Sequence, residues 1–490
     1  MKLFFSGHGE TYAVEQTLLT LFPSQRPEYP DDAPGGDCEL ELRFSEGVHF
    51  ATASALLRFD GKTHRALTRS KRLPDEADEV SKTRQRRRLL QRAFYRAAVD
   101  ALGVEPPWGM LSGVRPVKLP VRGVLQGQSL SQAERALEKT YRVSPSRTAL
   151  AMDCARAALA VQQSLQEDEI ALYLGIPFCP TRCAYCSFIS AAGNTNQLIP
   201  AYLQALHEEV RTAGAATRKA GLFVRSVYLG GGTPTTLDAE QLSDLLSALR
   251  AEFPLRDGVE FTVEAGRPDT ITREKLDAMK KHGVTRVSVN PQSLSDEVLS
   301  AIGRAHTVSD FYAAWEEVRT AQFPCVNMDL IAGLPADTFS GFCETVDRVL
   351  SLAPENITVH TLARKRGSRL HAEGGAIPDE ACVFAMLDYA WDALRSAGYL
   401  PYYLYRQKYM SGGFENIGWC KPGFANEYNI CMMEELCSIL SLGAGAVSKQ
   451  IDYAAGSLTR QTNPKYPQEY IRDCSRILTE KQAFVNRLRR

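Results

Sequence analysis

The sequence predicts an α/β protein built on an incomplete, six-stranded parallel (β/α)6 barrel, with an N-terminal α+β module before it and a C-terminal, mostly helical domain after it. Six apolar runs of strand length recur between 171 and 363, with amphipathic helical stretches between them. Residues 1–165 read differently: the stretch 38–44 alternates polar and apolar side chains, as a half-buried strand does. Strands that alternate with helices mark βαβ units on a parallel sheet. A closed ring of such units needs about eight, so six leave it open.

In chain order, the first module carries a helix at 12–21 and strands at 38–44, 49–59 and 63–68. A basic helix follows, with Lys82, Arg84, Arg86, Arg87, Arg88, Arg92 and Arg96. Such a run serves as a solvated face or as a docking patch for carboxylates or RNA. A turn-rich join at 106–116 and a helix at 148–166 lead into the barrel, 166–377. Its strands are expected at 171–178, 226–231, 259–266, 286–293, 325–333 and 356–363, each apolar enough to be buried on both faces. The last domain, 378–490, holds a helix at 380–397, an aromatic stretch at 399–405, a glycine-rich loop and a terminal helix.

Lysine plus arginine and aspartate plus glutamate both total 57, so no global field recruits nucleic acid or an anionic membrane, and no nucleic-acid partner is expected. The amino terminus turns polar too soon for a signal peptide, and no run approaches the ~20 apolar residues of a membrane span. The cytoplasm is the expected compartment. Twelve cysteines with one tight cluster suit a reducing compartment and a metal site better than a disulfide framework.

That cluster is Cys179, Cys183 and Cys186, placed directly after the first barrel strand, where loops converge on the active site of β/α barrels. Structural zinc takes four ligands in paired spacings, and no second CxxC or nearby histidine completes such a set. Three thiolates suit a 4Fe-4S cluster with one iron left open for a ligand, a zinc site being the alternative. Gly230, Gly231 and Gly232 at the second strand's end can bring bare backbone up to a ligand or simply make a tight turn. Glu264, at the end of the third strand, can accept from an amine or hydroxyl, or be a plain surface carboxylate.

The CxxxCxxC spacing resembles that of the radical S-adenosylmethionine (SAM) superfamily, whose open iron chelates SAM and yields a 5′-deoxyadenosyl radical. Ile176-Pro177-Phe178-Cys179 and Tyr228-Leu229-Gly230-Gly231-Gly232-Thr233-Pro234 are similar to the oxygen-independent coproporphyrinogen III oxidase branch. The run from Pro401 to Lys408, followed by Glu415-Asn416, is similar to its HemZ type of coproporphyrinogen dehydrogenase. The resemblance implies that Cys179, Cys183 and Cys186 hold the cluster. It implies that Tyr173, Tyr185, Gly231, Glu264 and Val447 surround one SAM, Tyr173 and Glu264 being the catalytic candidates. It places Gly232, Thr233, Gln292, Arg304, Asp329 and Ala363 around a second SAM. For Arg304 and Asp329 an ion pair on the barrel rim is the alternative.

The implied reaction is oxidative decarboxylation of coproporphyrinogen III to protoporphyrinogen IX in haem biosynthesis, with a reduced flavodoxin or ferredoxin-type electron donor. A haem chaperone of the same fold and another tetrapyrrole-modifying enzyme are the alternatives. The tetrapyrrole carboxylates would meet Arg364, Lys365, Arg366, Arg406 and Lys408. Two departures from the family pattern bear on the chemistry: Ser187 and Phe188 follow Cys186 where a fourth cysteine is usual, and Gly175 stands where histidine is usual.

Overall fold

A strand with apolar residues at alternate positions buries one face only, and the first of two compact units, Met1–Met152, is built on that rule. The computed structural model describes all residues except 31–32, 112, 187–190, 193–196, 364–367, 374–375, 407–413, 453–456 and 489–490. Four strands, β1 (Lys2–Ser6), β2 (Glu39–Glu46), β3 (Phe50–Phe59) and β4 (Lys62–Lys71), lie side by side in that order. β1 is parallel to β2, because α1 (Thr11–Leu21) makes the crossover between them; β3 and β4 are antiparallel neighbours. Leu40, Leu42, Phe44, Ala53 and Leu57 form one core with Leu18 of α1 and with Leu90 and Phe94 of α2 (Glu79–Leu102).

The basic run is helical, as expected. Asp78 caps α2 by accepting from the Ser81 amide at 2.8 Å, and Gly103 ends it with φ 70°. Arg86 and Arg87 both pair with Glu10, at 2.9 and 2.5 Å, so part of the positive charge is consumed inside the unit. Two short helices follow, α3 (Lys118–Leu125) and α4 (Leu130–Arg135). The boundary falls within α5 (Pro145–Ser164), at Met152/Asp153, not at 165. No division occurs at 378: Asp153–Arg490 is one unit, because the tail donates strands to the barrel's own sheet.

In that unit the six parallel strands are β5 (Glu169–Ile176), β8 (Phe223–Gly231), β9 (Leu255–Val263), β10 (Arg286–Ser288), β11 (Cys325–Ala332) and β12 (Asn356–Thr361). A separate two-residue pairing, β6 (Phe178–Cys179) with β7 (Ala191–Ala192), follows β5. Between the barrel strands run α6 (Ile199–Ala220), α7 (Ala239–Glu252), α8 (Arg273–Lys281), α9 (Asp296–Ala301), α10 (Val308–Ala321) and α11 (Phe339–Leu352). Sequence-local caps start several of them, such as Asp238 with Gln241 on α7 and Thr338 on α11.

The fourth strand is much shorter than the expected 286–293. It ends at Ser288, and Gln292, at φ 66°, meets Leu330 only in an isolated bridge. After α12 (Arg369–Glu373), the tail holds the two expected helices, α13 (Glu380–Ser396) and α16 (Cys474–Leu488), and two that were not expected, α14 (Glu427–Glu434) and α15 (Pro467–Arg472). It also supplies β13 (Leu400–Arg406), β14 (Glu415–Cys420), β15 (Ile439–Leu442), β16 (Val447–Asp452) and β17 (Ser457–Thr462), which the sequence reading did not foresee. β14 pairs with β12 and β15 pairs with β5, so both free edges of the six strands are continued by the tail. Among the described residues no helix is long and apolar enough to cross a membrane.

Candidate functional site

On the parallel strands successive side chains alternate between the helix-covered face and the interior, and the interior set is polar. Tyr173, Tyr228, Thr262, Ser288, Asn327 and Thr358 contribute one tier of a cavity of ≈ 590 Å³. Glu264, Asn290, Asp329 and His360, two residues further along or just past their strands, contribute the next. Cys179, Cys183 and Cys186 open on the same cavity. So do the expected Tyr185, Gly231, Gly232, Thr233, Gln292, Arg304, Ala363 and Val447, which come from strand ends and loops spread between positions 185 and 447.

Glu264 receives the Tyr228 hydroxyl at 2.5 Å and the Gly231 amide. Burial pushes its carboxyl up to about 7, and the Asp329 charge adds to this, while the Tyr228 hydroxyl opposes it. Asp329 behaves oppositely: burial raises it, yet His360, Asn327 and Thr358 hold it below the ordinary aspartate value. Its oxygens accept from Asn290 at 2.7 Å and Asn327 at 2.8 Å, with His360 Nε2 at 3.8 Å. Two carboxylates in one chamber thus differ in protonation near neutral pH.

Gly232 and Thr233 donate their amides to Ile176 and Phe178 carbonyls, at 2.7 and 2.8 Å. A Cβ on Gly232 would lie 2.5 Å from the Phe178 carbonyl oxygen. The glycine run therefore first docks the cysteine loop onto β8, and only the Gly231 amide is turned to a cavity side chain. Gly230 leaves room for Glu264, whose Oε2 would be 2.7 Å from an added Cβ. Gly175 faces the 443–446 turn, its missing Cβ 3.1 Å from the Ala444 oxygen.

Among the described residues none of the three cysteines forms a disulfide. Cys179 Sγ lies 3.4 Å from the Thr233 hydroxyl, and Arg267, held by Asp269 at 3.0 Å, approaches Cys183 Sγ at 3.7 Å. A guanidinium beside a thiol suits a thiolate ligand. Among the described residues no three histidine, cysteine or acidic side chains gather closely enough to hold one metal ion. Buried polar atoms of residues that line the same cavity, Gln292 Oε1, Arg304 Nε and the Tyr428 hydroxyl, have no partner among the described residues. These features fit three thiolate ligands and a polar, amino-acid-bearing cofactor such as SAM.

Arg304 shares a hydrogen bond with Tyr185 and donates to the Gly266 oxygen at 3.4 Å. Among the described residues it makes no ion pair with Asp329, so the rim pair considered as an alternative is absent. Arg406 is not among the described residues that line the cavity: it is buried, near Glu415, and burial lowers it to about 10. Arg364, Lys365, Arg366, Lys408, Ser187 and Phe188 lie outside the described residues.

Sequence reasoning missed Tyr228, Arg267, His360 and Tyr428. Tyr428 stacks on Tyr228 with ring centres 4.6 Å apart, and both lie near Tyr173. Its helix α14 is pinned to β8 and β9: Glu427 pairs with Arg225 at 2.8 Å, and the Glu427 and Tyr428 amides donate to Glu260 at 3.0 and 3.1 Å. For the strand residues a signal existed, since polar side chains two apart, as in Asn327 and Asp329 or Thr358 and His360, interrupt otherwise apolar strands. Nothing comparable marks Tyr428.

Residues 173–349 match the model of the radical SAM superfamily. The chain is 38% identical over 79% of its length, and 78% of the relative's, to an oxygen-independent coproporphyrinogen-III oxidase-like protein, HemZ, of Bacillus subtilis. It is 25% identical to the haem chaperone HemW of Escherichia coli over 65% of this chain and 82% of that one. The solved structure of coproporphyrinogen III oxidase (HemN) from Escherichia coli, a radical SAM enzyme, superposes with a TM-score of 0.52 at 23% identity, covering 66% of this chain and 72% of that one.

Proposed function

Since the chain belongs to the radical SAM superfamily and, within it, to the oxygen-independent coproporphyrinogen-III oxidase-like family, we propose that it oxidatively decarboxylates coproporphyrinogen III to protoporphyrinogen IX. Members of this superfamily use a 4Fe-4S cluster and SAM. When bound, these supply the abstraction of one hydrogen atom from the β-carbon of a propionate. The propionate then loses carbon dioxide and one electron to a one-electron acceptor, leaving a vinyl group, and two propionates react in turn. A reduced flavodoxin or ferredoxin-type protein is the proposed donor.

The observation that carries this reading is the single chamber in which Cys179, Cys183 and Cys186 meet Glu264, Arg304 and Asp329. The three cysteines would hold the cluster. Tyr173, Tyr185, Gly231, Glu264 and Val447 would frame the first SAM, with ionised Glu264 accepting from its hydroxyl or amino groups. Gly232, Thr233, Gln292, Arg304, Asp329 and Ala363 would frame a second, with the unpartnered Arg304 Nε and Gln292 Oε1 offered to its charged end. Stacked Tyr173, Tyr228 and Tyr428 would give the bound molecules an aromatic wall.

Likeness to the haem chaperone HemW, and Phe188 in place of a fourth cysteine, favour haem delivery as the second reading. Reconstituted protein supplied with dithionite, SAM and coproporphyrinogen III separates the two by mass analysis of the tetrapyrrole. Protoporphyrinogen supports decarboxylation; tight haem binding with no tetrapyrrole product overturns it in favour of the chaperone, and a methylated product indicates another tetrapyrrole-modifying enzyme.

A further inference from the structure

Helix α6 carries a carboxylate that the chemistry above does not use. Glu209 is fully buried, and so is its ion-pair partner Lys481 of α16, 3.5 Å away. Glu209 accepts from the Gly443 amide at 2.8 Å, the Asn463 amide group at 2.9 Å and the Tyr470 hydroxyl at 2.6 Å. Lys481 donates in turn to the Ser441 carbonyl at 2.6 Å and the Ser448 hydroxyl at 3.2 Å. Two turns of α6 away, the Tyr202 hydroxyl donates to the Gly175 carbonyl at 2.5 Å and accepts from the Ala444 amide at 3.0 Å.

Every one of these bonds ends on the 441–448 hairpin or on its supports. That hairpin joins β15 to β16 and presents Ser441, Gly445 and Val447 to the cavity beside Tyr173 and the start of the cysteine loop. The fit is close: Gly443 has φ 90°, and a Cβ there would meet the Gly175 oxygen at 2.4 Å and the Tyr202 oxygen at 2.6 Å. A buried ion pair is weak evidence for stability, since removing two charges from water costs as much as their attraction returns. It does fix geometry, because each oxygen of Glu209 is committed to a donor on a different segment.

We propose that Glu209, Tyr202 and Lys481 are positioning residues that set the 443–447 wall of the cavity and thereby its grip on SAM, making the terminal helix α16 part of the cofactor site. The inference rests on the reading that Val447 and Tyr173 face SAM.

The test uses full-length, cluster-reconstituted protein and SAM alone, with no tetrapyrrole, so its outcome is independent of which substrate is decarboxylated. Tyr202→Phe keeps the ring against Phe178 and Tyr470 but removes both hydroxyl bonds. E209Q/K481M removes both charges together, leaving neither uncompensated. Each should raise the SAM dissociation constant about tenfold, the size of a lost hydrogen bond near a charged group, at unchanged iron content and cluster absorbance. In uncoupled 5′-deoxyadenosine formation the KM for SAM should rise more than kcat falls. Wild-type SAM affinity in folded, iron-loaded Tyr202→Phe overturns the proposal. Loss of iron or of folding in both variants overturns it equally, since the network would then serve the fold and not this wall.

Discussion

In the four-stranded sheet of the first unit the residues turned toward the helices are leucine, phenylalanine and alanine, whereas the parallel strands of the second unit turn tyrosine, threonine, asparagine, aspartate and histidine inward. The two sheets obey the same period of two and bury opposite chemistries. In the first unit most buried strand side chains carry no polar group to desolvate and pack by shape; Thr68, which donates to the Leu89 carbonyl at 2.9 Å, and Glu39, paired with Arg58 at 3.4 Å, are exceptions. In the second, every inward polar group needs a partner, at a cost of about 1–3 kcal/mol if it has none. Most find one another: Tyr228 with Glu264, Asn290 and Asn327 with Asp329. Among those that do not are Ser288 Oγ, Gln292 Oε1, Arg304 Nε and the Tyr428 hydroxyl, all on residues that line the same cavity. A buried strand that keeps polar residues two apart marks a binding chamber; a strand that keeps leucine there marks a core.

The largest effect expected from this contrast belongs to the cysteine loop. Cys183→Ala should abolish the 4Fe-4S absorbance and all 5′-deoxyadenosine formation, while a normal cluster in that variant would refute the ligand assignment. In the first unit, Phe94→Ala removes a fully buried ring and should cost about 3–5 kcal/mol in that unit's unfolding, measured by denaturant melts. SAM cleavage per iron should survive it; its loss would mean that the two sheets do not carry separate tasks.

A smaller effect concerns Glu264. Its folded value, about 7, lies above the ordinary 4.5, chiefly through burial, so the folded chain holds a proton there that the unfolded chain releases. This group's contribution to stability is therefore present at acid pH and is lost as pH rises through about 7. Affinity for SAM should move the other way, increasing through about 7 as the accepting carboxylate forms. Tyr228→Phe removes a donor that favours the charged form and should shift that midpoint to higher pH; an unmoved profile would detach Glu264 from SAM. Least of all, Leu67→Ser, on an exposed position of β4, should change stability by no more than about 0.5 kcal/mol, as read by the same melts.

The sequence by itself determined the things that depend on neighbours in the chain. Six apolar strands with helices between them specify a parallel sheet, caps such as Asp238 start its helices, and three cysteines within eight residues must share one loop. Polar pairs two apart on those strands were legible too, for alternation alone sends both to one face. Tertiary structure decided the rest. That β15 lies against β5, that Tyr428 stacks on Tyr228, and that Glu209 and Lys481 close on the 441–448 hairpin depends on groups some 200 to 270 positions apart. No local period records such meetings. They arise because six strands leave two open edges, and a sheet with unpaired backbone groups takes its remaining partners from wherever the chain can supply them.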